Sequence, residues 1–317
     1  MSLLKRINPF SRLNNDTGFG TNPTGYGGRF INRDGSFNIR REGRPFLDRL
    51  NVYHALLNLP VWQFVCAILL FYITINLIYT GIYCWIGLEQ FQGIIGSTTW
   101  TRFKEIFFFS TETFTTVGYG RVNPVGDGAN VVAAIEAMSG FLSFAVATGL
   151  IYGRFSRPKA HLVFSDDALI APYKEGTGLM FRFASYKDNH TLTDVQVQVT
   201  MGLQIQENGK SEYKFYFLPL ERGKIESLSM NWTVVHPIDE NSPLLGFTAD
   251  DLENADVEVY VLIRGFNDVY SNTVLQRTSY TFREIKFNRK FVPMYRESDN
   301  GETTILELHK LNKHHEL

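Results

Sequence analysis

The sequence predicts an α-helical membrane domain of two spans with a re-entrant helix between them, followed by an all-β sandwich. Three observations predict it. Residues 59–88 contain no charged side chain, and ~20 apolar helical residues suffice to cross a bilayer core. Residues 128–153 form a second apolar run with one charge, Glu136. Beyond residue 160 the apolar period changes to two: Val195, Val197, Val199, Met201, Leu203 and Ile205 alternate with polar residues or glycine, and Val257, Val259, Val261 and Ile263 continue the pattern. Alternation over many short segments is the signature of strands with one buried face.

The elements follow in order. Residues 1–45 are rich in Gly, Asn, Arg and Ser and read as a largely flexible arm, with Arg29 to Ile39 as the exception. Gly18-Phe19-Gly20 and Gly25-Tyr26-Gly27 lack the preceding strand and following helix of a nucleotide loop. Residues 46–58 place Leu50, Tyr53, Leu56 and Leu57 at helical spacing directly before a span, as an interfacial slide helix would. The outer span covers 59–88, with Trp62, Tyr83 and Trp85 near its ends. A helix and turn are expected over 98–120, the inner span over 127–155, the sandwich over 160–296 and a tail over 297–317. In the sandwich, strands are expected near 161–173, 178–186, 213–220, 228–238 and 273–282, with turns at Lys187-Asp188-Asn189 and Glu207-Asn208-Gly209.

Charge decides orientation and excludes some classes. Arg29, Arg33, Arg40, Arg41, Arg44 and Arg49 precede the first span, and Arg154, Arg157 and Lys159 follow the second. Arg102, Lys104 and Arg121 between them are offset by Glu89, Glu105 and Glu112. The positive-inside rule then puts both termini in the cytoplasm. The opening MSLLKRINPF has no apolar signal core, so the first span is expected to direct insertion. The 31 basic and 32 acidic residues nearly cancel, which argues against a nucleic-acid coat. Cys66 and Cys84 lie in one apolar run and read as small apolar residues.

Between the spans, Thr98–Thr113 is long enough for about four helical turns but too short to cross a bilayer. Such a helix, with irregular backbone after it, is tolerated only where protein buries it or water lines it. Thr116-Val117-Gly118-Tyr119-Gly120 is the TVGYG sequence of potassium filters. A dehydrated ion needs carbonyls that all point toward one axis. That demands alternating backbone handedness, which Gly118 and Gly120 adopt without steric cost. Thr116 adds a hydroxyl, and Val117 and Tyr119 are expected to point away from the axis. One chain supplies one wall, so a homotetramer is expected, with K+ at Thr116, Val117, Gly118 and Tyr119 and no cofactor.

Glu112 and Arg121 bracket this stretch and are expected to form a bridge behind it. Gly140, Phe144, Thr148 and Tyr152 recur every four residues on the inner span. They fit equally a conduit lining, with Gly140 as hinge and Tyr152 near a gate, or ordinary helix packing. Glu136, an acid within the membrane, is expected to serve structurally near the short helix. Arg154, Arg157 and Lys159 fit equally an anionic-lipid contact or simple orientation anchoring.

Over residues 29–296 the chain resembles an inward-rectifier potassium channel. The resemblance rests on TTVGYG between two spans, on Arg154-Phe155-Ser156-Arg157-Pro158-Lys159, on Leu162-Val163-Phe164-Ser165 with Ala168-Leu169-Ile170, on Val235-His236-Pro237-Ile238-Asp239-Glu240-Asn241-Ser242-Pro243-Leu244, and on Arg29-Phe30-Ile31-Asn32-Arg33-Asp34-Gly35. It implies a voltage-independent, passive K+ channel in a bacterial inner membrane. Its cytoplasmic domain would be immunoglobulin-like and would extend the pore. The absence of cysteine between the spans is similar to prokaryotic members. Phe144 occupies the position where strong rectifiers carry an acid, which implies weak block from inside. Arg121 stands where many bacterial channels carry Asp. Ala160 and His161 leave fewer basic residues than in phosphoinositide-activated members.

Two other readings carry less. A poorly selective two-span channel conflicts with the intact TVGYG. A tethered adhesion protein would use Asn189-His190-Thr191 or Asn231-Trp232-Thr233 as glycan acceptors, but charge places both inside. His161, His190, His236, His314 and His315 lack metal spacing, no nucleophile–base arrangement is evident, and an enzyme is not expected. His54 and His161 lie near the membrane, within reach of a pH-sensing role, but read better as ordinary surface histidines.

Overall fold

The computed structural model describes residues 7–18, 28–43, 52–188, 191–207 and 210–317. Outside the described residues lie the Gly25-Tyr26-Gly27 segment, Arg44, Arg49, positions 46–51 of the expected slide helix, Asn189, His190, the Asn208-Gly209 turn and the side chain of His54. The chain divides into two units, residues 42–157 and residues 1–41 with 158–317.

The first unit is helical. A short helix, Val52–Asn58, precedes the outer helix, Val61–Ile86. The inner helix spans Asp127–Phe155. At 26 and 29 residues, the two long helices extend about 39 and 44 Å at 1.5 Å per residue. Val61, Trp62, Leu69, Leu70, Phe71, Met138, Phe141 and Val146 on them are exposed. An apolar surface of this extent suits lipid or a second protein surface and not water.

Between them lies a short helix, Thr99–Phe114, begun by a reciprocal capping box of Thr98 and Thr101. A two-stranded ribbon of β1 (Phe91–Gln92) and β2 (Asn123–Pro124) ties its two flanking segments together. Gln90 then starts the inner helix. Its backbone carbonyl accepts from Val125 N (2.8 Å) and Gly126 N (3.1 Å), and its Oε1 accepts from Ala129 N (3.0 Å). These bonds satisfy amides that a helix start leaves open. Tyr83, Phe91 and Phe109 meet edge-on at centroid distances of 5.2–5.4 Å and hold the short helix to the outer one.

The second unit is a sandwich of two five-stranded sheets. Its strands are β3 (Leu162–Phe164), β4 (Ala168–Tyr173), β5 (Gly176–Ser185), β6 (Leu192–Glu207), β7 (Lys210–Phe217), β8 (Lys224–Leu228), β9 (Asn231–Ile238), β10 (Glu258–Asn267), β11 (Asn272–Thr281) and β12 (Ile285–Phe287). One sheet runs β11-β10-β6-β7 with β8 also on β6; the other runs β12-β4-β5-β3 with β9 also on β5. The alternating residues Val195 to Ile205 and Val259 to Ile263 face Leu179, Phe181, Phe183 and Val234 in one core.

Two expectations are corrected here. Residues 297–317 are not a tail. β14 (Tyr295–Glu297) pairs with β15 (Thr304–Leu306), and β16 (His314–Glu316) pairs with β13 (Arg289–Phe291). Arg182, 2% exposed, explains why. From β5 its guanidinium donates to the carbonyls of Leu311 (2.6 Å), Val292 (2.7 Å), Lys310 and Lys313 (3.2 Å), and it lies 4.4 Å over the Phe291 ring. Burial pulls it down to about 10, so it stays charged at neutral pH.

Nor is the amino-terminal arm free over its described residues. Asn14 N donates to Phe215 O (2.8 Å), and Phe217 N donates to Arg12 O (3.0 Å). Arg29 and Arg33 pair with Glu284, Phe30 N donates to Glu258 (3.0 Å), and Phe30 and Ile31 bury Tyr213, Phe215 and Tyr260 on the outer face of the sheet. Glu258 and Tyr260 break the simple in–out alternation because the arm covers them.

Candidate functional site

The site is the turn that leaves the short helix. Thr115 closes that helix, with its N–H on Thr111 O (3.1 Å). The Glu112 carbonyl then accepts from Val117 N (2.8 Å) and Gly118 N (3.3 Å). Thr116 (φ 60°), Gly118 (φ 56°) and Gly120 (φ 81°) all lie in the left-handed region, whereas Val117 and Tyr119 do not. Handedness therefore alternates over the whole pentapeptide. The glycines take this geometry freely, but Thr116 takes it at a steric cost, which is the kind of strain that functional turns retain. An alternating backbone can present successive carbonyls to one cation and replace its hydration shell. Val117 and Tyr119 are 53% and 80% exposed.

Arg121 does not meet Glu112. Its Nη1 pairs with Glu105 Oε1 at 3.0 Å, and Glu112 forms no ion pair among the described residues. The reason is the β1–β2 ribbon, which draws the segment after Gly120 toward residues 91–96. A Cβ on Gly93 (φ 89°) would lie 1.9 Å from Arg121 O, so only glycine allows that approach. Glu105 Oε2 accepts from Ile95 N (3.0 Å) and Gly96 N (3.1 Å) as well. Glu112 is seven residues further along the helix, roughly 10 Å away at 1.5 Å per residue. Sequence reasoning missed Glu105 because nothing local marks the ribbon.

Gly140 sits at a close approach between two helices. The inner helix runs through it unbroken, and a Cβ there would lie 1.9 Å from Phe114 O. It is the point where the inner helix touches the end of the short helix. Phe144 and Tyr152, both 73% exposed, and Thr148 follow on the same face, and Thr148 Oγ1 donates back to Phe144 O (2.9 Å).

Of the basic residues after the inner helix, Arg157 Nη1 donates to Asn58 Oδ1 (2.8 Å), and Arg154 lies 5.2 Å over the Phe64 ring with Nη1 3.5 Å from Leu57 O. Both tie the end of the inner helix to the Val52–Asn58 helix, and Arg154 also to Phe64 on the outer one. Lys159 is exposed. His236, in the stretch that carried the resemblance, is buried, with Nδ1 on Pro219 O (2.5 Å) and Nε2 on Ser242 Oγ (2.8 Å). Burial pushes its imidazole down, so it stays neutral. It joins Pro219 to the Ser242 loop.

Glu136 is fully buried among Tyr83, Ser110 and Asn76, which brings the outer, short and inner helices to one point. The partners of Glu136 are 26 and 53 residues away in sequence, so spacing did not reveal them.

Two long apolar helices flanking a short helix and a TVGYG turn define the class of ion channels, and residues 67–157 match the family model described as "Ion channel". Residues 162–317 match the model for the inward rectifier potassium channel C-terminal domain. The chain is 33% identical over 293 residues to the inward rectifier potassium channel Kirbac3.1 of Paramagnetospirillum magnetotacticum, covering 91% of this chain and 95% of that one. It is 29% identical over 214 residues to the ATP-sensitive inward rectifier potassium channel 12 of Mus musculus and to that of Bos taurus, covering 62% of this chain and about half, 48%, of theirs. A solved structure of the sporulation control protein Spo0M from Bacillus subtilis aligns over 40% of this chain and 49% of its own at 11% identity, with a TM-score of 0.22 too low to carry any argument. The chain belongs to the inward rectifier potassium channel family, a family of membrane ion channels and not of enzymes.

Proposed function

We propose that the chain forms a homotetrameric, K+-selective pore in a bacterial inner membrane, with both termini cytoplasmic and Thr116–Gly120 as the filter. The observation that carries this reading is the alternation of backbone handedness at Thr116, Gly118 and Gly120 directly after a helix of 16 residues, about 24 Å and too short to span. K+ is the permeant ion, held by the carbonyls of Thr116, Val117, Gly118 and Tyr119. Four copies around one axis would supply the missing walls and cover Val117 and Tyr119, which a single chain leaves exposed. The short helix is then re-entrant.

Phe144, Thr148 and Tyr152 present one exposed face of the inner helix, which suits a lining below the filter with Tyr152 nearest its cytoplasmic end. In this reading the inner helices and the cytoplasmic sandwich gate the pore. Glu105 with Arg121 would brace the filter where the Glu112 bridge was expected. For anionic lipid, Lys159 is the freest of the three basic residues, because Arg154 and Arg157 already have partners within the helical unit.

The test is ion flux from liposomes containing the purified chain, under a potassium and then a sodium gradient, with Ba²⁺ added. Potassium uptake that Ba²⁺ abolishes and sodium does not replace is expected. Equal sodium and potassium flux would refute the filter.

A further inference from the structure

The hydrogens of the buried cluster around Glu136 can be placed by counting donors. Asn76, Tyr83, Ser110 and Glu136 are all 0% exposed. The Tyr83 hydroxyl donates to Glu136 Oε2. Asn76 Nδ2 donates to Tyr72 O (2.7 Å), which fixes the amide so that Oδ1, an acceptor without hydrogen, faces Ser110 Oγ at 3.0 Å. The Asn76 backbone carbonyl accepts from Thr80 Oγ1 (2.7 Å) and lies farther from Ser110 Oγ, at 3.3 Å.

The two nearest oxygens to Ser110 Oγ are Glu136 Oε1 at 2.5 Å and Asn76 Oδ1 at 3.0 Å, and it has one hydrogen to give. An ionised Glu136 would make both neighbours acceptors only, and one of the two contacts would contain no hydrogen. A proton on Glu136 Oε1 resolves this: the carboxyl donates to Ser110, and Ser110 donates to Asn76.

The titratable groups that face Glu136 are both on the outer helix. They are Tyr83 and, hydrogen-bonded to Ser139 at 3.0 Å, Tyr79. From the short helix the facing group is the Ser110 hydroxyl. Among the described residues no Lys, Arg or His contacts Glu136, so nothing there offsets a buried negative charge.

The position of the cluster gives it a function. Ser110 is six residues before Thr116 on the helix that leads into the turn. One turn beyond Glu136 on the inner helix, Gly140 abuts the Phe114 carbonyl. The inner helix thus holds the short helix at two successive levels.

We infer that Glu136 is a neutral carboxylic acid that positions the short helix, and through it the Thr116–Gly120 turn, by a Tyr83–Glu136–Ser110–Asn76 chain joining three helices. This rests on the filter reading above for its effect on selectivity, but not for its protonation.

The test combines an infrared spectrum and ion flux on the full-length chain in liposomes. The protonated-carboxyl stretch of one buried acid is expected in the parent chain and absent in Glu136→Gln. The amide of Glu136→Gln can donate to Ser110 and accept from Tyr83, so this variant keeps the parent's potassium-over-sodium flux ratio. Ser110→Ala and Glu136→Ala each leave a buried group unpartnered and lower that ratio by about tenfold. No protonated band attributable to Glu136, or a Glu136→Gln variant as unselective as Glu136→Ala, would overturn the inference. Should Glu136→Ala fail to fold, the infrared comparison and the flux of Glu136→Gln against Ser110→Ala decide it. A parent chain without potassium selectivity would defeat the filter reading and leave the infrared result standing on its own.

Discussion

Replacing Arg182 by methionine should release the carboxy-terminal strands while leaving the sandwich folded. The guanidinium donates to four carbonyls, of Val292, Lys310, Leu311 and Lys313. A hydrogen bond involving a charged group contributes about 1.5–3 kcal/mol. The Lys310 and Lys313 carbonyls lie in a partly exposed turn that water can reach once the side chain is gone. The buried Leu311 bond and the part-buried, 2.7 Å Val292 bond are then the main loss, about 3–5 kcal/mol for two bonds to a charged group. Methionine keeps most of the aliphatic stem and recovers about 1 kcal/mol. The net is about 2–4 kcal/mol.

That loss falls on β13 and β16, three residues each, too short to persist as an isolated pair. The other polar ties are weaker: Arg289 with Glu316 is exposed and contributes at most about 1 kcal/mol, and His314 reaches Asp167 at 3.3 Å. Amide hydrogen exchange over residues 289–317 is therefore expected to accelerate by about 30- to 900-fold, with β6 and β10 unchanged. Unchanged exchange over 289–317 in the methionine variant would refute the claim that Arg182 holds this segment.

Gly140→Ala would put a Cβ 1.9 Å from the Phe114 carbonyl. The potassium-over-sodium flux ratio should fall and stability drop by about 1–3 kcal/mol, while Gly149→Ala, with open space at its Cβ, should be neutral or slightly stabilising; equal behaviour of the two would argue against the contact. In the sandwich, burial opposes ionisation of Glu284, but the Thr281 amide, Arg33 and Arg29 outweigh it and hold the carboxyl below its ordinary range. Docking of residues 29–33 is then complete above the ordinary carboxylate value and lost as pH falls through the depressed one; exchange of the Arg29 and Arg33 region should show that acid step, and its persistence in Glu284→Gln would count against Glu284 as its source.

Much of the architecture was legible along the chain. The inner helix covers 127–155 as its hydropathy predicts, the outer helix falls two residues inside each expected end, and the inward residues of β6 and β10 are the ones that alternation names. These features rest on periodicity and on local backbone chemistry, which neighbouring residues alone express. TVGYG belongs with them, because alternating handedness is a property of five consecutive residues.

The corrections share a different cause. Arg121 finds Glu105 and not Glu112 because a two-residue ribbon and the Gly93 approach redirect the chain. Arg182 recruits carbonyls 110 to 131 residues away, and the arm reaches Ser279 across 250 residues. Glu136 needs partners on two other helices before its proton has a place. For Arg182, Ser279 and Glu136 the free energy lies in satisfying a buried polar group. Which group is buried, and by what, follows only when distant segments meet. Sequence determined the elements and the filter-like turn; tertiary structure decided which charges are paired, because desolvation is a property of the assembled neighbourhood and not of the residue.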